Sequence, residues 1–213
     1  MSALQPRMTQ DQRSALTKDK LARAAFEVIR DVGYAGFRTA AVAKAAGVSQ
    51  GGQLHHFPTK DDLALAAVEY GNALATRKTE ENLARVSADD EPIEAIIADS
   101  MDYYFSASFE VAIDVVKSSS QNAGLRRDIA DSSRSFREFA ERGWLEKLVE
   151  RSWSVSDAQD IIDLSTSLVR GFAIRKWIHR DTGQYKRLME RWIDIVYASF
   201  ATPSQRRARS GSR

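Results

Sequence analysis

Residues 39–60 decide the fold, and they read TAAVAKAAGVSQGGQLHHFPTK. Thr39 can cap a short helix that ends near Ala46, and Ser49 can cap a second short helix that ends near His56. Gly47 lies between them, where glycine readily adopts the left-handed conformation that ends one helix and turns sharply into the next. This stretch therefore predicts two short helices joined by a tight turn.

A third helix is predicted before this pair. Apolar residues recur at spacings of three and four over residues 18–33, with Thr17 as the N-cap and Gly33 at the end. Three helices this close together, two of them about two turns long, are typical of a helix-turn-helix module. Thr59, with Asp62 three residues later, predicts the start of a fourth helix that reaches the Glu80 region.

The remainder of the chain is predicted to be helical, because the apolar spacing stays near 3.6 and no strand alternation is present. Further helices are expected over residues 93–105, 109–116, 125–153, 157–179 and 184–200. The fold class is therefore all-α. The predicted divisions are a flexible arm (1–16), a helix-turn-helix domain (17–60), a helical effector-binding and dimerisation domain (61–203) and a disordered basic tail (204–213).

Charge is distributed unevenly along the sequence. The net charge is only +2, yet residues 1–60 hold nine Lys and Arg against four acids, and the tail adds four arginines. The middle of the chain is correspondingly acidic. A basic head next to an acidic body is the pattern expected if only the head meets a polyanion, although a charged stretch can also be an ordinary solvated face.

Helix 49–56 is polar and small, which is unusual for a helix that only packs. Its two glycines cost about 1 kcal/mol each relative to alanine, and close approach to a DNA groove would offset that cost. In the groove, Gln50 or Gln53 can pair with adenine. The histidine side chains and the free backbone N–H groups at the helix starts can donate to phosphates. Alternatively, the glycines only permit tight packing. The candidate DNA-binding residues are Arg38, Thr39, Ser49, Gln50, Gly51, Gly52, Gln53, His55, His56 and Lys60.

Taken together, the first helix, the Gly33–Thr39 connector, Ala45-Ala46-Gly47-Val48-Ser49 and the segment from His56 to Leu63 resemble the tetracycline-repressor (TetR) family of bacterial regulators. The resemblance covers residues 17–70. It implies a three-helix DNA-binding domain, a fourth helix that connects to an all-helical second domain, and a homodimer formed by the last two long helices. It also implies that residues 49–56 enter the major groove of an operator.

The sequence departs from the family pattern at one place. Members usually carry a Leu-Tyr pair where this chain has Gln53-Leu54, and the tyrosine commonly contacts phosphate. We expect Leu54 to pack here, so the phosphate contact falls to His55, His56 or neither residue.

The C-terminal half carries many large apolar side chains, most of them expected to be plain core. In the TetR family, which this chain resembles, the middle helices form the effector pocket, and the resemblance implies that a subset of these side chains lines a pocket for a small apolar or aromatic effector: Met101, Phe105, Phe109, Phe139 and Trp144. An apolar stripe on the last two helices is predicted to form the dimer interface: Ile161, Leu164, Leu168, Phe172, Ile193, Val196 and Tyr197.

Several classes of function are disfavoured by the sequence. It has no cysteine, no common catalytic or phosphate-binding motif, and no apolar run near the roughly 18 residues needed to span a bilayer. We therefore expect no catalytic residues, metal, cofactor or membrane contact, and a cytoplasmic location. The leading function is a homodimeric repressor on a palindromic operator. The alternatives are a transcriptional activator of the same fold and a ligand-binding protein with a vestigial DNA-binding head.

Overall fold

Nine α-helices are present in the computed structural model, which describes residues 8–87, 90–119, 122–176 and 183–201. No strand occurs within these ranges. The helices are α1 (Gln10–Gly36), α2 (Thr39–Ala46), α3 (Gln50–His56), α4 (Lys60–Arg85), α5 (Pro92–Tyr104), α6 (Ala107–Ser118), α7 (Ala123–Glu150), α8 (Val155–Arg175) and α9 (Gly183–Ser199). The all-α prediction is confirmed. The predictions for residues 1–7 and for the tail lie outside the described residues.

The predicted start of the first helix was wrong. Thr9 is the N-cap, because its side chain accepts from the Gln12 N–H while the Gln12 side chain accepts from the Thr9 N–H. Thr17 lies inside the helix and donates to the Arg13 carbonyl. The helix was predicted to end at Gly33; α1 instead extends to Gly36, although the φ of 70° at Gly33 interrupts its helical backbone.

The short-helix predictions are largely confirmed. Gly47 is the left-handed C-cap of α2, with φ 66°, and Ser49 caps α3 by accepting from the Gly52 N–H. At the start of α4, Thr59 and Asp62 form the expected reciprocal pair of side-chain-to-backbone hydrogen bonds. Thr39 differs from the prediction: the N-cap of α2 is Arg38, and no side chain caps this helix.

Contacts divide the chain into two compact units. The first comprises residues 1–73 and 107–133, and the second comprises residues 74–106 and 134–213. In the first unit α1 packs on both α2 and α6, around a core that includes Leu21, Phe37, Val42 and Leu63. This packing holds α2 and α3 on one scaffold of long helices.

Within the first unit, four polar side chains connect α1, α4, α6 and the start of α7. Asp114 of α6 accepts from the Tyr34 N–H at 2.6 Å, just after the break at Gly33. Asp61 accepts from Tyr34 Oη at 2.8 Å and from Asn122 Nδ2 at 2.6 Å, while Asn122 Oδ1 accepts from the Leu125 N–H in α7. Burial and the bond to Asp61 raise the pKa of Tyr34 to about 12. We call Tyr34, Asp61, Asp114 and Asn122 the head junction.

The second unit has its own core. α5 packs extensively against α8, and buried residues there include Ile93, Ile96 and Ile161. Asp99 lies in this unit with an exposed fraction of 6%. It accepts from Thr79 Oγ1, Asn82 Nδ2 and Trp144 Nε1, yet burial outweighs these bonds and raises the pKa of its carboxyl group.

We predict that Tyr34→Phe destabilises the protein by about 1 kcal/mol, because the hydroxyl loses its bond to Asp61. In an Asp61→Ala background, Tyr34→Phe should change the free energy of unfolding by close to zero, since the Asp61 carboxylate that accepts the bond is already absent. Urea unfolding of the four proteins in this cycle measures the coupling. Asp62→Ala is the matched control, because it removes only the α4 capping interaction and should be additive with Tyr34→Phe.

Candidate functional site

α3 presents a small exposed surface that is polar apart from Leu54. Gln50, Gly51 and His55 are exposed, and Leu54 has an exposed fraction of 52%. The helix is held at its start by the Ser49 cap and lies after the left-handed turn at Gly47. These features place α3 on the outside of a packed helical scaffold.

The two glycines of α3 have different surroundings. A Cβ atom at Gly52 would lie 3.0 Å from Val48 Cγ1 and 3.2 Å from Ser49 Oγ, so packing within the protein already disfavours a side chain there. A Cβ at Gly51 would meet nothing within 4 Å. The packing alternative raised by the sequence therefore accounts for Gly52 only, and the protein's own structure leaves Gly51 unexplained.

Gln53 does not lie where the sequence prediction needs it. Its exposed fraction is 1%, and its Nε2 donates to the Phe57 carbonyl at 2.6 Å. A buried amide with this bond has no surface to offer a base. Leu54 was predicted to pack, and it is exposed instead. Gln53 is therefore the buried residue and Leu54 the exposed one, which is the reverse of the prediction from the sequence.

The candidate phosphate contacts lie around α2 and α3. Arg38 is exposed and its guanidinium donates to the carbonyls of Ala35 and Phe37. Thr39 and His56 are partly exposed, and the ring centroids of His55 and His56 lie 5.2 Å apart. Burial, followed by the charges of His55 and Lys18, lowers the pKa of His56. These effects favour the neutral form of the His56 ring.

Lys60 points toward the protein. Its Nζ donates to the Tyr34 carbonyl at 3.2 Å and lies 4.2 Å from the centroid of the Tyr34 ring. Burial, then repulsion from Arg38, lowers the pKa of Lys60. These contacts fasten the start of α4 to the end of α1, so the predicted phosphate contact competes with an existing structural role.

The described residues of the second unit line two cavities of different character, among others. The α7 cavity, of about 170 Å³, lies between α5, α7 and α8. Its lining mixes aromatic residues with charged ones, among them Tyr103, Tyr104, Trp144, Arg137 and Arg170. Burial raises the pKa of Tyr103 to about 12.

The α9 cavity, of about 570 Å³, lies between α5, α8 and α9. It is mostly apolar, and its lining residues are Glu94, Met101, Phe105, Val169, Phe172, Tyr185, Lys186, Met189, Glu190 and Ile193. The two cavities therefore offer different chemistry.

The predicted effector residues do not form one group. Met101 and Phe105 line the α9 cavity, whereas Trp144 lines the α7 cavity. Phe139 is half-buried on α7 and lines neither cavity, and Phe109 is buried in the first unit. Sequence reasoning missed Tyr185, whose buried hydroxyl has no hydrogen-bond partner among the described residues.

The predicted dimer stripe is also divided. Ile161, Ile193, Val196 and Tyr197 are buried within the protomer, so they belong to its own core. Phe172 is partly buried and lines the α9 cavity. Leu164 and Leu168 are exposed, with fractions of 46% and 37%. The structure adds Ile195 on α9, exposed by 43%, which the sequence reasoning did not include.

Neither a metal centre nor a membrane span is found within the described ranges. No group of three or more His, Asp or Glu side chains there is placed to hold a metal ion. None of the described helices is both long and apolar enough to cross a bilayer.

A short exposed helix that follows a packed helix through a left-handed glycine, in a chain whose second unit is helical over its described residues, is the arrangement found in helix-turn-helix transcriptional regulators. The model of the family described as "Bacterial regulatory proteins, tetR family" matches residues 21–67. The HTH-type transcriptional regulator CymR of Pseudomonas putida is 35% identical over 195 residues, covering 92% of this chain and 96% of that protein. The chain belongs to the TetR family of bacterial DNA-binding transcriptional regulators, and the resemblance predicted from residues 17–70 is confirmed.

Solved structures share the fold. A putative TetR-family regulator from a Rhodococcus species has a TM-score of 0.64 at 19% identity, covering 88% of this chain and 100% of that one. A putative transcriptional regulator from Saccharomonospora viridis, solved in complex with choline, has a TM-score of 0.65 at 16% identity, covering 88% and 99%. At these identities the likeness concerns the fold.

We predict that Gly51→Ala raises the unfolding temperature while it weakens operator binding about tenfold or more. The added methyl group has open space in the protein and improves helix propensity by up to about 1 kcal/mol. On DNA the same methyl group would keep the α3 backbone from the groove floor. Thermal unfolding and fluorescence anisotropy with operator DNA measure the two effects.

The matched variant is Gly52→Ala, which should lower the unfolding temperature because its methyl group crowds Val48. Unchanged operator affinity in Gly51→Ala would show that the α3 backbone does not approach DNA closely.

Proposed function

We propose that this chain is a homodimeric repressor that binds a palindromic operator and is released by a small apolar or aromatic effector. The observation that carries the proposal is the exposed face of α3, where Gln50 is exposed and a Cβ atom at Gly51 would meet nothing within 4 Å. Since its target is bacterial DNA, the protein works in the cytoplasm.

In this proposal Gln50 reads a base in the major groove, most readily adenine, and Gly51 lets the helix backbone sink toward the base edges. Ser49, Arg38, His55 and His56 contact phosphates around the helix. The start of α2 at Thr39 adds exposed backbone N–H groups, because no side chain caps it. Gln53 and Lys60 position α3 and α4 without touching DNA.

The experiment is binding of the purified protein to fluorescent DNA from upstream of its own gene, across a range of salt concentrations. Gln50→Ala should lower the preference for operator over random DNA roughly tenfold, because one bidentate base contact is lost. Gln53→Leu is the matched control and should keep that preference. Both variants should keep the wild-type salt dependence, since phosphate contacts set it.

Loss of preference in Gln53→Leu alone would overturn the assignment of Gln50. Absence of specific, salt-sensitive binding by the wild type to any fragment of its own genome would favour a ligand-binding protein with a vestigial head. Raised transcription from a bound promoter would identify an activator.

The proposed dimer interface is the exposed apolar stripe of Leu164 and Leu168 on α8 and Ile195 on α9. Two helices from each protomer would pack as a four-helix interface about a two-fold axis. A two-fold dimer places its recognition helices in successive major grooves about 34–36 Å apart, or at multiples of that distance. An effector that prefers a differently spaced form by about 1–3 kcal/mol would then release the operator.

We predict that the double variant Leu164→Arg, Leu168→Arg is monomeric, because it brings four arginines into the two-fold interface. Sedimentation velocity should give twice 23.8 kDa for the wild type and 23.8 kDa for this variant. Val149→Arg is the control, since Val149 is also an exposed apolar residue of the second unit but lies on α7. If the Leu164→Arg, Leu168→Arg variant stays dimeric, the dimer interface lies elsewhere.

A further inference from the structure

We propose that Leu54 reads a thymine in the operator, by packing its side chain against the C5-methyl group of that base in the major groove. The proposal rests on the proposed function, since it needs the exposed face of α3 to enter the groove. It adds an apolar base contact to the polar contact assigned to Gln50, and it names a base that the operator has to carry.

Leu54 lies within the exposed face of α3 and not at its margin. At 3.6 residues per turn, the position of Leu54 is about 40° from that of Gln50 and about 60° from that of Gly51 around the helix axis. Both of these neighbours are exposed, and so is His55 on the far side of Gly51. Leu54 is therefore flanked on both sides by residues of the face assigned to DNA.

The burial of Gln53 fixes the direction of this face. The exposed fraction of Gln53 is 1%, and its amide donates to the Phe57 carbonyl. Turning α3 about its axis would expose this amide and break the bond. Leu54, one residue further along, therefore stays on the outer side of α3 with an exposed fraction of 52%.

The location of Leu54 matters more than its exposure. Single exposed leucines are common on protein surfaces, so exposure alone assigns no role to this side chain. Leu54, however, is the large apolar residue in a surface otherwise made of Gln50, Gly51 and His55. When this surface meets DNA, the Leu54 side chain is brought against the base edges.

Thymine offers the apolar partner that Leu54 needs. In the major groove the base edges present hydrogen-bond donors and acceptors, and thymine adds its C5-methyl group to this pattern. A leucine packed against the polar edges would remove their water without replacing its hydrogen bonds, which is unfavourable. Burial of the thymine methyl group against Leu54 is favourable instead.

Gly51 allows the close approach that this contact requires. Leucine has a shorter side chain than glutamine, so Leu54 reaches a base only where the α3 backbone comes near the groove floor. A Cβ atom at Gly51 would meet nothing within 4 Å in the protein, and the glycine leaves that space open to DNA. Gly51 and Leu54 are thus adjacent parts of one recognition surface.

The test compares thymine with uracil, which pairs with adenine in the same way and lacks the C5-methyl group. Preferred sites are first selected from random DNA with the full chain, and each thymine of the selected site is then replaced singly by uracil. At one thymine in each half-site, fluorescence anisotropy should show roughly fourfold weaker binding by the wild type, the loss expected for about one buried methylene group. Leu54→Ala should bind the thymine and uracil forms of that site equally.

Two variants serve as controls. Leu54→Met keeps an apolar side chain of similar volume and should retain the uracil effect. Leu16→Ala is the matched control, because Leu16 is a leucine of the first unit exposed by 49% but lies on α1, and it should also retain the effect. The unfolding temperature of Leu54→Ala should stay close to that of the wild type, since its side chain lies at the surface.

Two results would overturn the assignment of Leu54: no thymine at which uracil weakens binding, or a uracil effect that survives in Leu54→Ala. Either result, obtained with a wild type that binds its selected site specifically, leaves the repressor proposal standing. A selection that yields no preferred sequence would overturn the proposed function and the assignment of Leu54 together.

Discussion

Asp61 accepts hydrogen bonds from Tyr34 and Asn122, and these bonds fix the start of α4 against the end of α1 and the start of α7. The break at Gly33 makes this arrangement possible, because its positive φ presents the Tyr34 N–H to Asp114 on α6. α2 and α3 follow directly from this end of α1. The orientation of α3 therefore depends on these polar contacts as well as on the apolar packing of α1 against α2.

The features that could be predicted from the sequence are those set by residues close together in the chain. Gly47, Ser49 and the Thr59–Asp62 pair act within four residues of themselves, so the pattern alone located the turn and both helix starts. Thr9 has Gln12 three residues later, which completes a capping box, whereas Thr17 has Lys20 at that position, so the sequence carried a signal that the prediction missed. Helix boundaries were accordingly less predictable than the existence of the helices.

It was harder to predict which side chains of a helix are buried and which are exposed. α3 has only seven residues, too few for apolar spacing to show which face is buried. Glutamine is usually exposed in proteins, so the burial of Gln53 was also unexpected. On α8 and α9 apolar residues occupy two faces, one directed to the protomer core and one to solvent. The sequence identified both helices as apolar but did not separate Ile161 from Leu164, or Val196 from Ile195.

The bond from Gln53 to the Phe57 carbonyl has a consequence for how the head meets DNA. Pro58 has no N–H, so the polypeptide cannot continue the helix there, and the Gln53 amide satisfies a carbonyl at its end. Ser49 accepts from the Gly52 N–H at the other end, so each end of α3 has one side-chain hydrogen bond from within residues 49–57. These bonds favour the helical form of α3 in the protein without DNA, which lowers the conformational entropy that would be lost if α3 had to be ordered on binding.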